Sequence, residues 1–152
     1  NPKADDDVML EAAQAADADS FVNNIPEGYD AAVARRGANF SGGQRQRLSI
    51  ARALAAAPKI LILDDSTSAL DLATEAHVQG AVQEMISQTT KLYVAQRIST
   101  VLTADKIVLL DGGKQVAAGR HNELVQQSAL YRDICISQLG MVPELQDEGE
   151  RP

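Results

Sequence analysis

The chain is poor in aromatics: no Trp, three Tyr and two Phe, or 3% of its 152 residues. Apolar residues nonetheless reach 45%, so its core must come mainly from Ala, Leu, Val and Ile, as in helices packed on a sheet. One cysteine, Cys135, excludes an internal disulfide and suits a reducing compartment. No run of about 18 apolar residues occurs, which excludes a membrane-spanning helix within the sequence. A signal peptide and internal repeats are also lacking, and the chain does not begin with Met. An excess of positive charge is absent too. The net charge of −7 argues against a nucleic-acid binder. The positive charge that exists is local: Arg35, Arg36, Arg45, Arg47 and Arg52 lie in one region.

What is present reads as alternating helices and strands. Asp5 to Ala18 is predicted as a helix, with aspartates at its positive end and Val8, Met9, Ala12, Ala13 and Ala16 on one face. Pro26-Glu27-Gly28 marks a turn, and Val33 to Phe40 a loop. A second helix runs from Gly42 or Gly43 to about Ala56 and stops before Pro58. Ile60 to Leu63 is continuously apolar, which predicts a buried parallel strand. Thr74 to Ser87 follows as a helix with Val78, Val82, Met85 and Ile86 on one face, then Lys91 to Ala95 as a strand. Lys106 to Leu110 and Gln115 to Ala118 flank Asp111-Gly112-Gly113 as a hairpin. His121 to Gln127 and Ala129 to Leu139 read as short helices, and residues 141–152 as a flexible acidic tail. The order indicates an α/β fold. His77 and His121 fall on helices and are expected at the surface.

Two stretches carry chemistry. Ser41-Gly42-Gly43-Gln44 opens the Arg-rich helix. By itself it could be a Gly-rich turn with a Ser cap. It could equally offer a hydroxyl and backbone N–H groups to a phosphate at a helix N-terminus. Asp64 and Asp65 end the apolar strand, and Ser68-Ala69-Leu70-Asp71 follows without a gap. Aspartates are common turn residues, and Asp71 also suits a helix cap. Yet two carboxylates at the end of a parallel strand suit a magnesium–nucleotide complex. Gln96, after the second strand, reads by itself as a solvated loop residue. Asp111-Gly112-Gly113-Lys114 precedes a strand rather than a helix, so it is a hairpin turn and not a phosphate loop.

From Asn39 to Arg47 the sequence resembles the signature loop of the ATP-binding cassette (ABC) family. Ile60 to Asp71 resembles that family's Walker B strand and D-loop, and Val94 to Thr100 its switch loop. The phrases Asp65 to Asp71, Gln96 to Thr100 and Ala118 to Leu124 are similar to those of exporters, the multidrug-type branch. Tyr29 to Gly37 resembles the exporter stretch that faces the membrane domains, although Ala32 and Arg35 stand where acidic residues are usual.

The resemblance implies a partial P-loop NTPase domain over residues 1–140, its last two-thirds. Residues 1–56 would be part of the helical subdomain and 57–140 the core. No Gly-x-x-x-x-Gly-Lys-Ser/Thr loop occurs, so the isolated chain is expected not to hydrolyse ATP. The strand beside Ile60–Leu63 would be absent as well, exposing backbone edge and apolar surface. The family arrangement assigns Ser41, Gly42, Gly43 and Gln44 to the ATP of a head-to-tail partner domain. It places Ser68 and Asp71 in the D-loop at that interface, Asp64 on Mg2+, and Asp65 and Gln96 at the catalytic positions of the chain's own nucleotide.

Most relatives carry Glu and His at those last two positions. Asp65 is one methylene shorter, about 1 Å in reach, and a misplacement of that size can cost about a hundredfold. Gln96 is a neutral amide that cannot exchange a proton near neutral pH. Two such changes in one site imply the degenerate-site half of a heterodimer, bound to transmembrane domains at the cytoplasmic face of the cell membrane. A soluble ABC ATPase of DNA repair or chromosome organisation is the alternative from another class. An α/β domain that binds no nucleotide is the third.

Overall fold

A computed structural model describes residues 5–143. They fall into two compact units, one within Asn1–Val94 and the other within Ala95–Pro152, and mixed α/β architecture runs through both.

In the first unit, α1 (Asp6–Ala15) and a short α2 (Asp19–Val22) precede α3 (Gly42–Leu54). Strand β1 (Ile60–Asp64), α4 (Leu72–Met85) and β2 (Thr90–Val94) complete it. Strands β1 and β2 are parallel, with Ile60 opposite Thr90 and Asp64 opposite Val94. That pairing follows from the helical crossover between them, since parallel strands cannot be joined by a tight turn. The core joins Ala12, Ala15 and Ala16 of α1, Ile50 and Leu54 of α3, Leu61 and Leu63 of β1, Leu70, and Val78 and Val82 of α4. Alanines on α1 allow it to lie close on α3, which explains an apolar core with so few aromatics.

Two expectations change here. The long first helix is broken: α1 ends at Ala15 because Asp17 takes a left-handed backbone, φ 51°. Arg47 of α3 stabilises that break. It donates to the Asp17 carbonyl at 2.8 Å, pairs with the Asp17 carboxylate, and stacks its guanidinium 4.8 Å from the Phe21 ring centroid. Strand β1 is also not buried on both faces. Leu61 and Leu63 face the helices, whereas Ile60 and Ile62 are 63% and 61% exposed. Leu92 and Val94 of β2 share that open face. A two-stranded parallel sheet with helices on one side covers one face only.

The second unit holds the hairpin β3 (Ile107–Asp111) and β4 (Lys114–Gly119), then α5 (His121–Gln127) and α6 (Ala129–Leu139). The hairpin is antiparallel, with an irregularity between Leu109 and Leu110. Its core is Ile98, Ile107, Leu124, Tyr131 and Cys135. His77 is exposed as expected, but His121 is only 2% exposed. Its Nε2 lies 2.8 Å from the Pro143 carbonyl oxygen, which can only accept, so Nε2 carries the proton. Nδ1 then accepts from the Tyr131 hydroxyl at 2.9 Å. A histidine with both nitrogens satisfied can be buried, which is the signal that helix periodicity alone misses. Burial, and then Cys135, pushes the Tyr131 hydroxyl up to about 12; burial also raises the Cys135 thiol. Of the expected tail, residues 144–152 lie outside the described residues; ahead of them, Val142 packs against the second core. No helix among the described residues is long and apolar enough to cross a membrane.

Candidate functional site

Ser41 is the N-cap of α3. Its hydroxyl accepts from the Gln44 backbone N–H at 3.2 Å, and the Gln44 carbonyl oxygen Oε1 accepts from the Ser41 N–H at 2.9 Å. This reciprocal capping box fixes the first turn of α3 and satisfies two end groups at once. It leaves the Ser41 hydroxyl hydrogen and the Gln44 Nε2 hydrogens free to point outward, together with the positive end of a helix of 13 residues. The neighbouring arginines have structural duties. Arg45 donates to the Phe40 carbonyl at 2.6 Å, and Arg47 is held by Asp17.

Gly43 is crowded, whereas Gly42 has only an ordinary contact. A Cβ on Gly43 would lie 3.2 Å from the Ala69 carbonyl oxygen and 3.3 Å from Leu70 Cδ2; one on Gly42 would lie 3.6 Å from Ala69 Cβ. The loop after β1 therefore packs directly on the start of α3. Gln46 ties the two together. Its Nε2 donates to the Asp65 carbonyl at 3.3 Å and to Ser68 Oγ at 3.0 Å, while its Oε1 accepts from the Ala69 N–H at 2.9 Å.

Asp64 ends β1 on the exposed face of the sheet, in register with Val94. Asp65 leaves the strand with φ 48°, and its N–H donates to the Val94 carbonyl at 2.9 Å. Both carboxylates are exposed. The left-handed step turns the chain out of the strand and toward α3. Thr67 anchors the same loop from the other side: its hydroxyl donates to Glu75 Oε1 at 2.8 Å, and Glu75 is buried. Asp71 caps α4, accepting from the Thr74 N–H at 3.0 Å and the Thr74 hydroxyl at 2.7 Å. The backbone bond from Thr74, and then its hydroxyl, hold the Asp71 carboxyl below its usual range.

Groups of three or more His, Cys, Asp or Glu that could hold a metal are absent among the described residues. That does not conflict with Mg2+, which is typically held by one or two carboxylates plus phosphate oxygens and water rather than by a protein cage. Exposed Asp64 and Asp65 at a strand end are a donor set of that kind. The Ser66 Oγ that follows them is buried without a hydrogen-bond partner.

Gln96 lies in the second unit. Its backbone carbonyl accepts from Gln138 Nε2 at 2.9 Å, and Gln138 Oε1 accepts from the Ile98 N–H at 2.8 Å. Gln138 of α6 thus staples residues 96–98 and leaves the Gln96 side chain exposed. Within the first unit, then, Ser41, Gly42, Gly43, Gln44, Asp65 and Ser68 form one packed group, with Asp64 at the adjoining strand end and Asp71 committed to its helix. Sequence reasoning missed Gln46, Glu75 and Gln138. Each looks like an ordinary polar helix residue, and only the partner it meets on another segment, 8 residues away for Glu75 and 40 for the Gln138 bond to Ile98, distinguishes it.

The family described as ABC transporter matches residues 3–68. A Staphylococcus aureus protein described as a multidrug export ATP-binding/permease protein is 47% identical over 133 residues, 88% of this chain and 23% of that protein. The ABC transporter B family member 4 of Dictyostelium discoideum is 45% identical over 139 residues, 91% of this chain and 18% of that one. In structure, the chain is similar to a bacterial Atm1-family ABC exporter with ATP bound, with TM-score 0.86, 35% identity, and coverage of 91% of this chain and 24% of that one. The chain thus spans about a quarter of the length of the curated relatives it matches, 23% for the first of them. Its parallel strands and helices and its relatives together make it a mixed α/β portion of an ABC transporter nucleotide-binding domain, related to multidrug and Atm1-type exporters.

Proposed function

We propose that the chain is the part of an exporter's ATPase domain that contributes a signature loop to one nucleotide and carboxylates to another. The whole protein couples ATP binding and hydrolysis to moving a solute, at the cytoplasmic face of the cell membrane. Its partners are transmembrane domains and a second nucleotide-binding domain arranged head to tail. Residues 1–56 serve as helical subdomain and 57–140 as core. The observation that carries the reading is the packed assembly in the first unit, where Gly43 meets Ala69 and the Ser41 cap sits beside the carboxylate loop.

In this reading Ser41, Gly42, Gly43 and Gln44 cradle the terminal phosphate held by the partner domain. The Ser41 hydroxyl and Gln44 Nε2 donate to it, and the helix end stabilises its charge without reorganisation. Asp64 holds Mg2+, which when bound neutralises phosphate charge. Asp65 orients water beside the chain's own nucleotide, and Gln96 donates a hydrogen bond to phosphate there. Ser68 and the loop to Asp71 line the interface. The short Asp65 and the proton-inert Gln96 make the chain the weakly hydrolytic half of a heterodimer.

The test uses the full-length heterodimer and nucleotide trapping resolved by subunit. Asp65→Glu with Gln96→His is expected to raise turnover at this chain's own site, with smaller effects for either change alone. Unchanged single-site turnover in the double variant overturns the degenerate-half assignment. The isolated 152-residue chain is expected to be inactive. Magnesium-dependent ATP turnover by it, abolished by Asp64→Ala, overturns that expectation.

A further inference from the structure

Gln46 spends both ends of its amide on the loop after β1. Nε2 reaches the Asp65 carbonyl (3.3 Å) and Ser68 Oγ (3.0 Å), and Oε1 takes the Ala69 N–H (2.9 Å). The Ser68 hydroxyl closes the figure by donating to the same Asp65 carbonyl at 3.0 Å. The Asp65 backbone is left-handed, φ 48°, a conformation that persists where its surroundings hold it. Here the holders of its carbonyl are Gln46 and Ser68.

At the other end of the contact, Gln46 lies only two residues beyond Gln44 on α3. The first turn of that helix is rigidified by the Ser41–Gln44 capping box. Gly43 is meanwhile packed within 3.3 Å, at its would-be Cβ, of Ala69 and Leu70. A hydrogen-bonded helical turn moves as a body. A displacement of residues 65–69 is therefore passed through Gln46 to Ser41–Gln44 with no flexible segment between.

We propose that Gln46 is a positioning residue that locks the carboxylate loop to the signature turn, so that occupancy at one phosphate-facing surface is felt at the other. The inference rests on the site reading given above. In a head-to-tail pair these two surfaces of one chain serve two different nucleotides. Gln46 then couples the two ATP sites within a single subunit. Deleting its amide leaves each surface with its own groups and removes the hydrogen-bonded link between them, leaving only the packing of Gly43 on Ala69 and Leu70.

A three-way mutant cycle in the full-length heterodimer tests this, since coupling and not proximity is the evidence required. The readout is the ATP concentration needed for nucleotide trapping at the partner's site, the one completed by Ser41–Gln44. With Gln46 present, Asp65→Asn in this chain is expected to shift that concentration by about fivefold or more, the lower range of allosteric coupling. In a Gln46→Ala background the same change is expected to shift it by less than about twofold. Gln46→Glu keeps the acceptor for Ala69 and loses the donor to Asp65. It is expected to give an intermediate shift, and it carries the test should Gln46→Ala fail to assemble. An Asp65→Asn shift of equal size in all three backgrounds overturns the proposal. A distinct result, in which Ser41→Ala and Asp65→Asn each leave trapping at both sites untouched, removes the site reading itself and the proposal with it.

Discussion

The chain has two turns built on consecutive glycines, one in each compact unit, and they use glycine for opposite reasons. Gly42 and Gly43 in the first unit take no positive φ. Ala69 and Leu70 press on Gly43, with the Ala69 carbonyl oxygen 3.2 Å from where a Gly43 Cβ would sit, while Gly42 meets only the Ala69 Cβ, at 3.6 Å. Gly112 and Gly113 in the second unit have φ 53° and 74° and nothing within 4 Å of a would-be Cβ. There the backbone is demanding and the space is open. Gly43 marks a place where another piece of backbone comes close, which is what a site assembled from distant segments needs. The second pair only closes a hairpin.

On the proposed reading, the comparison breaks most visibly with Gly43→Asp in the full-length protein. A carboxylate would strike the Ala69 carbonyl and face the expected phosphate position. ATP turnover at the partner's site is expected to fall by at least about a hundredfold, comparable to losing one preorganised donor to a developing charge. A loss below about tenfold, measured by subunit-resolved trapping, would erase the distinction between the two glycine pairs.

A purely steric version is Gly43→Ala, read by urea denaturation of the 152-residue chain. Overpacking against fixed backbone is expected to cost about 1–3 kcal/mol. Ser41→Ala should be milder. It deletes the side-chain half of the capping box at an expected cost of about 1 kcal/mol, with a matching loss of amide protection at Gln44. The smallest effect is expected for Gly113→Asn, because Asn tolerates the left-handed region and the site is open. A stability change within about 0.5 kcal/mol would agree. If Gly43→Asn proved as mild as Gly113→Asn, crowding would not be what selects glycine at the start of α3.

Local signals made much of this legible. The hairpin turn, α5 and α6 lie where turn chemistry and period placed them, because hairpins and caps are decided by neighbours in sequence. Strands β1 and β2 lie within a residue of their expected ends, and their parallel pairing follows from the helix between them. The break in the first helix is not legible locally, because nothing in its own residues announces that Arg47, far along the chain, stabilises a left-handed Asp17. The burial of His121 is likewise illegible, because helix position says little about a histidine whose partners are Tyr131 and the Pro143 carbonyl.

By itself the sequence determined which chemistry is on offer: a serine-capped glycine turn, paired aspartates at a strand end, and no phosphate loop of the Gly-x-x-x-x-Gly-Lys kind. Those are properties of residue type and short spacing, and they survive without knowing where the chain goes. Only the tertiary structure decided that the glycine turn and the carboxylate loop touch, and that Gln46 fastens them. It also decided that one face of the β1–β2 sheet lies open. Such contacts join residues about twenty positions apart, and their energies depend on distances of a few tenths of an ångström, which no local pattern encodes.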